Sequence, residues 1–161
     1  MANKDAAFGM KPVSMMGGAP YSGGQSRYRI ANNQSGAIFQ GDLIKQLTAG
    51  VVGRAAASST VPVVGVFNGC QYTDPTSGEQ IYKNYYPGSV AAADIIALVV
   101  DDPDVVFEVQ ADDTFPVADL FGNFDIVDQS TTGDTSSGRS NVELDVTTGA
   151  TATTLPLKAI D

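Results

Sequence analysis

A chain of 161 residues is long enough to bury a core without metal or disulfide help, and nothing in it calls for a second domain. It carries 9 Lys and Arg against 18 Asp and Glu, a formal charge of −9, with no histidine and one cysteine. These counts exclude imidazole-based catalysis, His-containing metal sites, internal disulfides and Cys-x-x-Cys pairs, and they oppose a general phosphate-binding surface, since nucleic-acid affinity comes largely from Lys and Arg.

In chain order, residues 1–26 hold five glycines and two prolines among the scattered apolar groups Phe8, Met10, Met15, Met16 and Tyr21. Neither a 3.6 nor a 2.0 period fits them, so the stretch reads as an extended arm that orders against something else, a partner or its own domain. Residues 27–161 read as one β domain. Arg27–Ala31 alternates and ends in the turn-prone 32–36. Ala37–Leu47 is interrupted by Gly41-Asp42, and Val51–Ala56 follows. Val61–Tyr72 is rich in β-branched residues, with Gly65 marking a bulge or close approach. Asp74-Pro75-Thr76-Ser77-Gly78 is turn chemistry, so Phe67–Tyr72 and Gln80–Tyr86 form a hairpin.

Ile95–Val100 and Val105–Val109 flank Asp101-Asp102-Pro103-Asp104 and predict a second hairpin. Thr114 is placed to cap one short helix over Val117–Phe121, stopped by Gly122. Gln129–Ser140 is low-complexity and reads as a mobile loop; Val142–Val146 and Thr153–Ile160 read as strands. Many short strands with Gly/Pro turns and one short helix define a mainly β fold, an antiparallel β-barrel or β-sandwich. The longest apolar run, Ile95–Val100, is far short of the roughly 20 residues that span a bilayer. The start lacks a signal peptide's apolar stretch, so a soluble, unexported product is expected.

No motif carries chemistry. Gly133–Ser140 has P-loop spacing with Arg139 in place of lysine, but a strand-like segment follows it where a phosphate site needs a helix. The aspartates at 101, 102, 104, 112, 113, 119, 125 and 128 lack EF-hand order and read as turn residues, so neither metal nor cofactor is expected. Tyr82, Tyr85 and Tyr86 fall together, and each offers an apolar body with a polar tip suited to a contact surface or a sugar platform. Charge is segregated: the first 30 residues sum to +3, whereas 101–161 hold two basic residues against thirteen acidic ones.

At Gly41-Asp42-Leu43-Ile44, at Val63-Val64-Gly65-Val66-Phe67-Asn68-Gly69, and from Ala93-Asp94-Ile95 through to Phe115-Pro116-Val117-Ala118-Asp119-Leu120-Phe121-Gly122-Asn123-Phe124, the chain resembles small structural proteins of tailed phages, particularly marine ones. Among these it is similar to capsid decoration, or cement, proteins. The resemblance covers roughly residues 1–125 and implies a protein of the virion's outer capsid surface that reinforces junctions between capsomers. Its implied partners are the major capsid protein and other copies of itself, with no nucleic acid or membrane.

The expectation is therefore a non-enzymatic virion structural protein, with Phe8, Met10, Met15, Met16, Tyr21, Tyr82, Tyr85 and Tyr86 as candidate partner contacts. The alternatives are a glycan- or ligand-binding β-module using Tyr82, Tyr85 and Tyr86, or a tail or connector component.

Overall fold

The computed structural model describes residues 6–58, 62–127, 133–150 and 155–160. The chain runs through β1 (Lys11–Met15), β2 (Ser26–Arg29), β3 (Ile38–Phe39), β4 (Leu43–Gln46), β5 (Val52–Arg54) and the long β6 (Val63–Thr73). It continues through β7 (Gln80–Lys83), β8 (Tyr85–Tyr86), β9 (Ile96–Val100) and β10 (Val105–Glu108). The remaining strands are β11 (Asn123–Val127), β12 (Gly133–Asp134), β13 (Arg139–Ser140), β14 (Glu143–Ala150) and β15 (Leu157–Lys158). All pairings between these strands are antiparallel.

The central sheet has the order β2-β9-β6-β4-β5, and β7 pairs with the far end of β6. A β14-β11-β15 sheet and a β1–β10 ribbon form a second layer. The fold is mainly β and sandwich-like. The central sheet does not close into a barrel, because β2 and β5 stand at its ends.

Side-chain alternation divides the apolar residues between two cores. On one face of the sheet Leu43 and Val66 meet Met10, Ile126 and Val142; on the other, Ile44 and Phe67 meet Ile38, Tyr86, Ile95 and Val99. A sheet buried on both faces needs apolar residues in succession, which is why β6 and β9 read as continuous apolar runs. Phe67 and Cys70, three positions apart, share one core. Strict alternation forbids this, and a bulge between Phe67 and Gly69 restores it by inserting one residue into the β6–β9 register. Gly65 marks a close approach: a Cβ there would collide with the Val100 carbonyl oxygen.

Three expectations change, and part of the arm takes a place in the fold. Ile95–Val100 and Val105–Val109 do not pair with each other. Both edges of β9 are taken, by β2 and β6, so the chain turns at Asp101–Asp104 and β10 pairs with β1 instead. The short helix shrinks to a 3₁₀ turn at Val117–Asp119 with Pro116 at its cap position and no side-chain cap. The Thr114 amide is instead bonded by Asp113. Within the expected mobile loop, residues 133–140 form the β12–β13 hairpin, closed by Gly138 N–H donating to Asp134; residues 129–132 lie outside those described. Finally, the N-terminal arm is in part a sheet element, β1, and Met10 beside it is only 4% exposed.

The bulge supplies a direct test. Gly69 has φ +149°, and a Cβ there would sit 2.9 Å from the Lys83 carbonyl oxygen, whereas Gly24 has open space around it. Gly69→Ala should lower the unfolding free energy in urea by about 1–3 kcal/mol, the typical cost of backbone strain. Gly24→Ala should leave it within about 0.5 kcal/mol.

Candidate functional site

The site is built on a buried carboxylate. Asp42 is 0% exposed, so it needs donors to offset desolvation. Its Oδ2 accepts from the Phe39 amide at 2.8 Å, and its Oδ1 from the Ser140 hydroxyl at 2.6 Å. The Arg54 Nε stands 3.7 Å from Oδ2. Gly41 and Asp42 also hold the backbone of two other segments. Gly41 O accepts from Met10 N–H at 2.9 Å, Asp42 O accepts from Phe67 N–H at 2.9 Å, and Gly41 N–H donates to Phe67 O at 2.8 Å. The Ser140 hydroxyl also accepts from Val142 N–H at 3.0 Å.

Two glycines let these segments approach. Gly9 and Gly41 have φ of +72° and +98°; a Cβ on Gly9 would lie 2.7 Å from Ser140 Cβ, and one on Gly41 would lie 2.9 Å from the Met10 nitrogen. Above this node, between the N-terminal segment and the sheet, opens a cleft of about 580 Å³ lined in part by Phe8, Lys11, Gln40, Asn68 and Arg139. Its floor carries an amide relay, Gln40 Nε2 donating to Asn68 Oδ1 and Asn68 Nδ2 to Gln25 Oε1, both at 2.9 Å. Lys11 and Glu108 pair across the rim at 3.7 Å with both side chains mostly exposed, a contact worth little.

The eight candidate contact residues separate into three groups. Met10 and Tyr86 are core residues: Tyr86 is 0% exposed, and its hydroxyl donates to Gln34 O at 3.0 Å and accepts from Val90 N–H at 3.3 Å. Burial removes both from any contact surface: Met10 packs in the core with Leu43 and Val66, and Tyr86 in the core with Ile44 and Phe67. Phe8, Met15, Tyr21 and Tyr85 are half-buried. The Tyr21 hydroxyl donates to Gly24 O at 2.8 Å. Tyr85 stacks on Phe39 with centroids 5.5 Å apart, and Lys83 Nζ lies 5.7 Å from its ring centre. Met16 and Tyr82 stand out, 56% and 64% exposed.

The sequence reading missed Asp42, Arg54 and Ser140. The available signal was an isolated aspartate inside the apolar text Ile38-Phe39 and Leu43-Ile44, which requires a satisfied buried acid.

Other titratable groups have structural partners or are buried. Burial pushes the Cys70 thiol up to about 12, far from a reactive thiolate. Among the described residues no group of three or more His, Cys, Asp or Glu is placed to hold a metal ion. The aspartates tie turns: Asp102 accepts from Asp104 N–H, Asp112 from Val146 N–H, and Asp94 from the Thr73 amide and hydroxyl. The P-loop-like Gly133–Ser140 is a hairpin leading into β14. No helix among the described residues is long and apolar enough to cross a membrane. In comparison with known proteins, the chain matches no family model, no curated protein and no solved structure.

Burial pushes the Asp42 carboxyl up to about 6, against the Phe39 amide, the Ser140 hydroxyl and the Arg54 charge, which favour its ionised form. The folded value thus exceeds the unfolded one of about 3.8, so this contribution to stability is complete below pH 4 and is lost as pH rises through 6. Relative to Asp42→Asn, the native chain should lose on the order of 3 kcal/mol between pH 4 and 7.5. Urea titrations of both proteins across that range check it; a difference that stays constant with pH would refute the assignment.

Proposed function

We propose that this chain is a non-enzymatic structural protein of a tailed-phage virion, a decoration protein on the outer surface of the head that cements capsomer junctions. Its partners in this reading are the major capsid protein and neighbouring copies, with no nucleic acid or membrane. The observation that carries the reading is the β1–β10 ribbon. Met10 just before it anchors it in the core, while Val13 in β1 and Met16 just after it are 43% and 56% exposed. An anchored edge ribbon that offers apolar side chains suits a protein whose work is to be covered by a larger surface. Segregated charge also supports it, since the acidic part from residue 101 on suits solvent and the cationic start suits a contact. Copies repeated over a closed shell make modest contacts collectively strong.

A glycan platform of three tyrosines would have one free ring to offer: Tyr82 is exposed, Tyr85 is stacked and Tyr86 is buried. A tail or connector role differs from the head role in where labelled protein sits on particles.

Removing residues 1–26 is a poor test, because it takes β1 and Met10 out of the fold. Val13→Asp together with Met16→Asp changes only exposed positions. Thermal stability should hold while occupancy on purified shells falls at least tenfold, measured by co-sedimentation and gel densitometry. Wild-type occupancy of the double variant would overturn the role given to the ribbon.

A further inference from the structure

The second layer leaves part of the central sheet uncovered. Ala97 and Val99 of β9 point into one core, so Ile96 and Leu98 lie on the opposite face. Register extends that face sideways: Arg29 pairs with Ile96, Ile96 with Gln71, and Gln71 with Tyr82, while Arg27 pairs with Leu98. Directly paired residues share a face. Val100 on this face is 1% exposed, but Ile96, Leu98 and Gln71 are half-buried and Arg27, Arg29 and Tyr82 are exposed. The result is a shallow apolar strip bordered on one side by two arginines about 7 Å apart.

Among the described residues the ion pairs are Lys11–Glu108 and Arg54–Asp42, and neither Arg27 nor Arg29 enters one. Arg29 gives one of its five N–H groups to Ala93 O at 3.1 Å. An exposed cationic border on a protein of net charge −9 calls for a carboxylate-bearing occupant.

The chain itself carries a complementary element. In the turn after β9, Asp102, Pro103 and Asp104 are all exposed, and Asp102 Oδ1 fixes the turn by accepting from Asp104 N–H at 2.9 Å. Its carboxylates recur at i and i+2, as the guanidiniums do on β2, and the apolar Pro103 between them matches the strip formed by Ile96 and Leu98. Arg29 is level with the start of β9, whereas the turn follows its end, so the two patches lie toward opposite ends of one ribbon. We propose that the Arg27–Arg29 face of one copy docks the Asp102–Asp104 turn of a second copy, head to tail. Such a contact is heterologous and propagates into rings or rows. It goes beyond the shell-binding reading and needs no shell, so the two stand or fall separately.

Sedimentation velocity of the full chain at rising concentration tests it. In 30 mM salt the weight-average mass should climb above the 16.7 kDa of one copy, and 500 mM salt should reverse this by screening. Arg27→Glu with Arg29→Glu, and separately Asp102→Lys with Asp104→Lys, should each weaken self-association at least tenfold while leaving the circular dichroism spectrum and melting temperature in place. Mixing the two variants restores both contacts, the intact turn of the first on the intact arginines of the second and the reversed face of the first on the reversed turn of the second, so assemblies that grow with concentration should return where neither variant alone forms them. The chain with all four reversals should associate again. A wild type that stays monomeric at millimolar concentration in low salt overturns the proposal, as does association that survives either double reversal.

Discussion

The rest of the structure depends on one buried carboxylate. An acid with no exposed surface is costly unless its lone pairs are filled, and at Asp42 they are filled by the Phe39 amide and the Ser140 hydroxyl with Arg54 nearby. The residual cost remains visible as a carboxyl pushed up to about 6. In return, Gly41 and Asp42 join pieces of chain that are remote in sequence: the Met10 segment, β6 at Phe67 and the β12–β13 hairpin at Ser140. No local interaction could bring residues 10, 67 and 140 together. The β1–β10 ribbon and the β12–β13 hairpin are each two-stranded, and two-strand elements left isolated are marginal in water, so the node is what ties them to the rest.

Burial of the central sheet on both faces sets the remaining constraints. Each residue added to β6 must suit one core or the other, and the bulge at Phe67–Gly69 exists to keep Phe67, Cys70 and Tyr72 on one side. The second layer spans only part of the sheet, so β2, β9 and β7 leave Arg27, Arg29 and Tyr82 outward. The proposed roles use what this geometry leaves exposed: an apolar ribbon on one layer and a cationic border on the other. Neither role needs a reactive side chain, which fits a chain whose lone thiol is buried and pushed up to about 12.

Strand positions were legible because β-branched runs and Gly/Pro turns are local signals. β4, β5, β9 and β10 fall within segments read from the sequence, β2 and β6 overrun theirs by one residue, and the β6–β7 hairpin pairs Cys70 with Lys83 and Thr73 with Gln80. Pairing itself was less legible. The Asp101–Asp104 turn looks like a hairpin loop, yet β9 is claimed on both edges by strands whose arrival only the whole topology decides. The segment 133–140 looks featureless because its order comes from Ser140 meeting Asp42, 98 positions away. Met10 and Tyr86 were read as contact residues for the same reason: residue type cannot tell a buried Met or Tyr from an exposed one when its partners are distant. The helix at Val117 failed because Pro116 offers no cap and the segment stays within one turn.

The central claim is that Asp42 binds the N-terminal segment, β6 and the β12–β13 hairpin into one cooperative unit. Hydrogen exchange under native conditions tests it most directly, read at the amides of Met10, Phe67 and Ser140, which donate to Gly41 O, Asp42 O and Gln40 O. All three should open with the same free energy, that of global unfolding, and Ser140→Ala should lower them together. Fast exchange at Met10 or Ser140 while Phe67 stays protected would contradict the account.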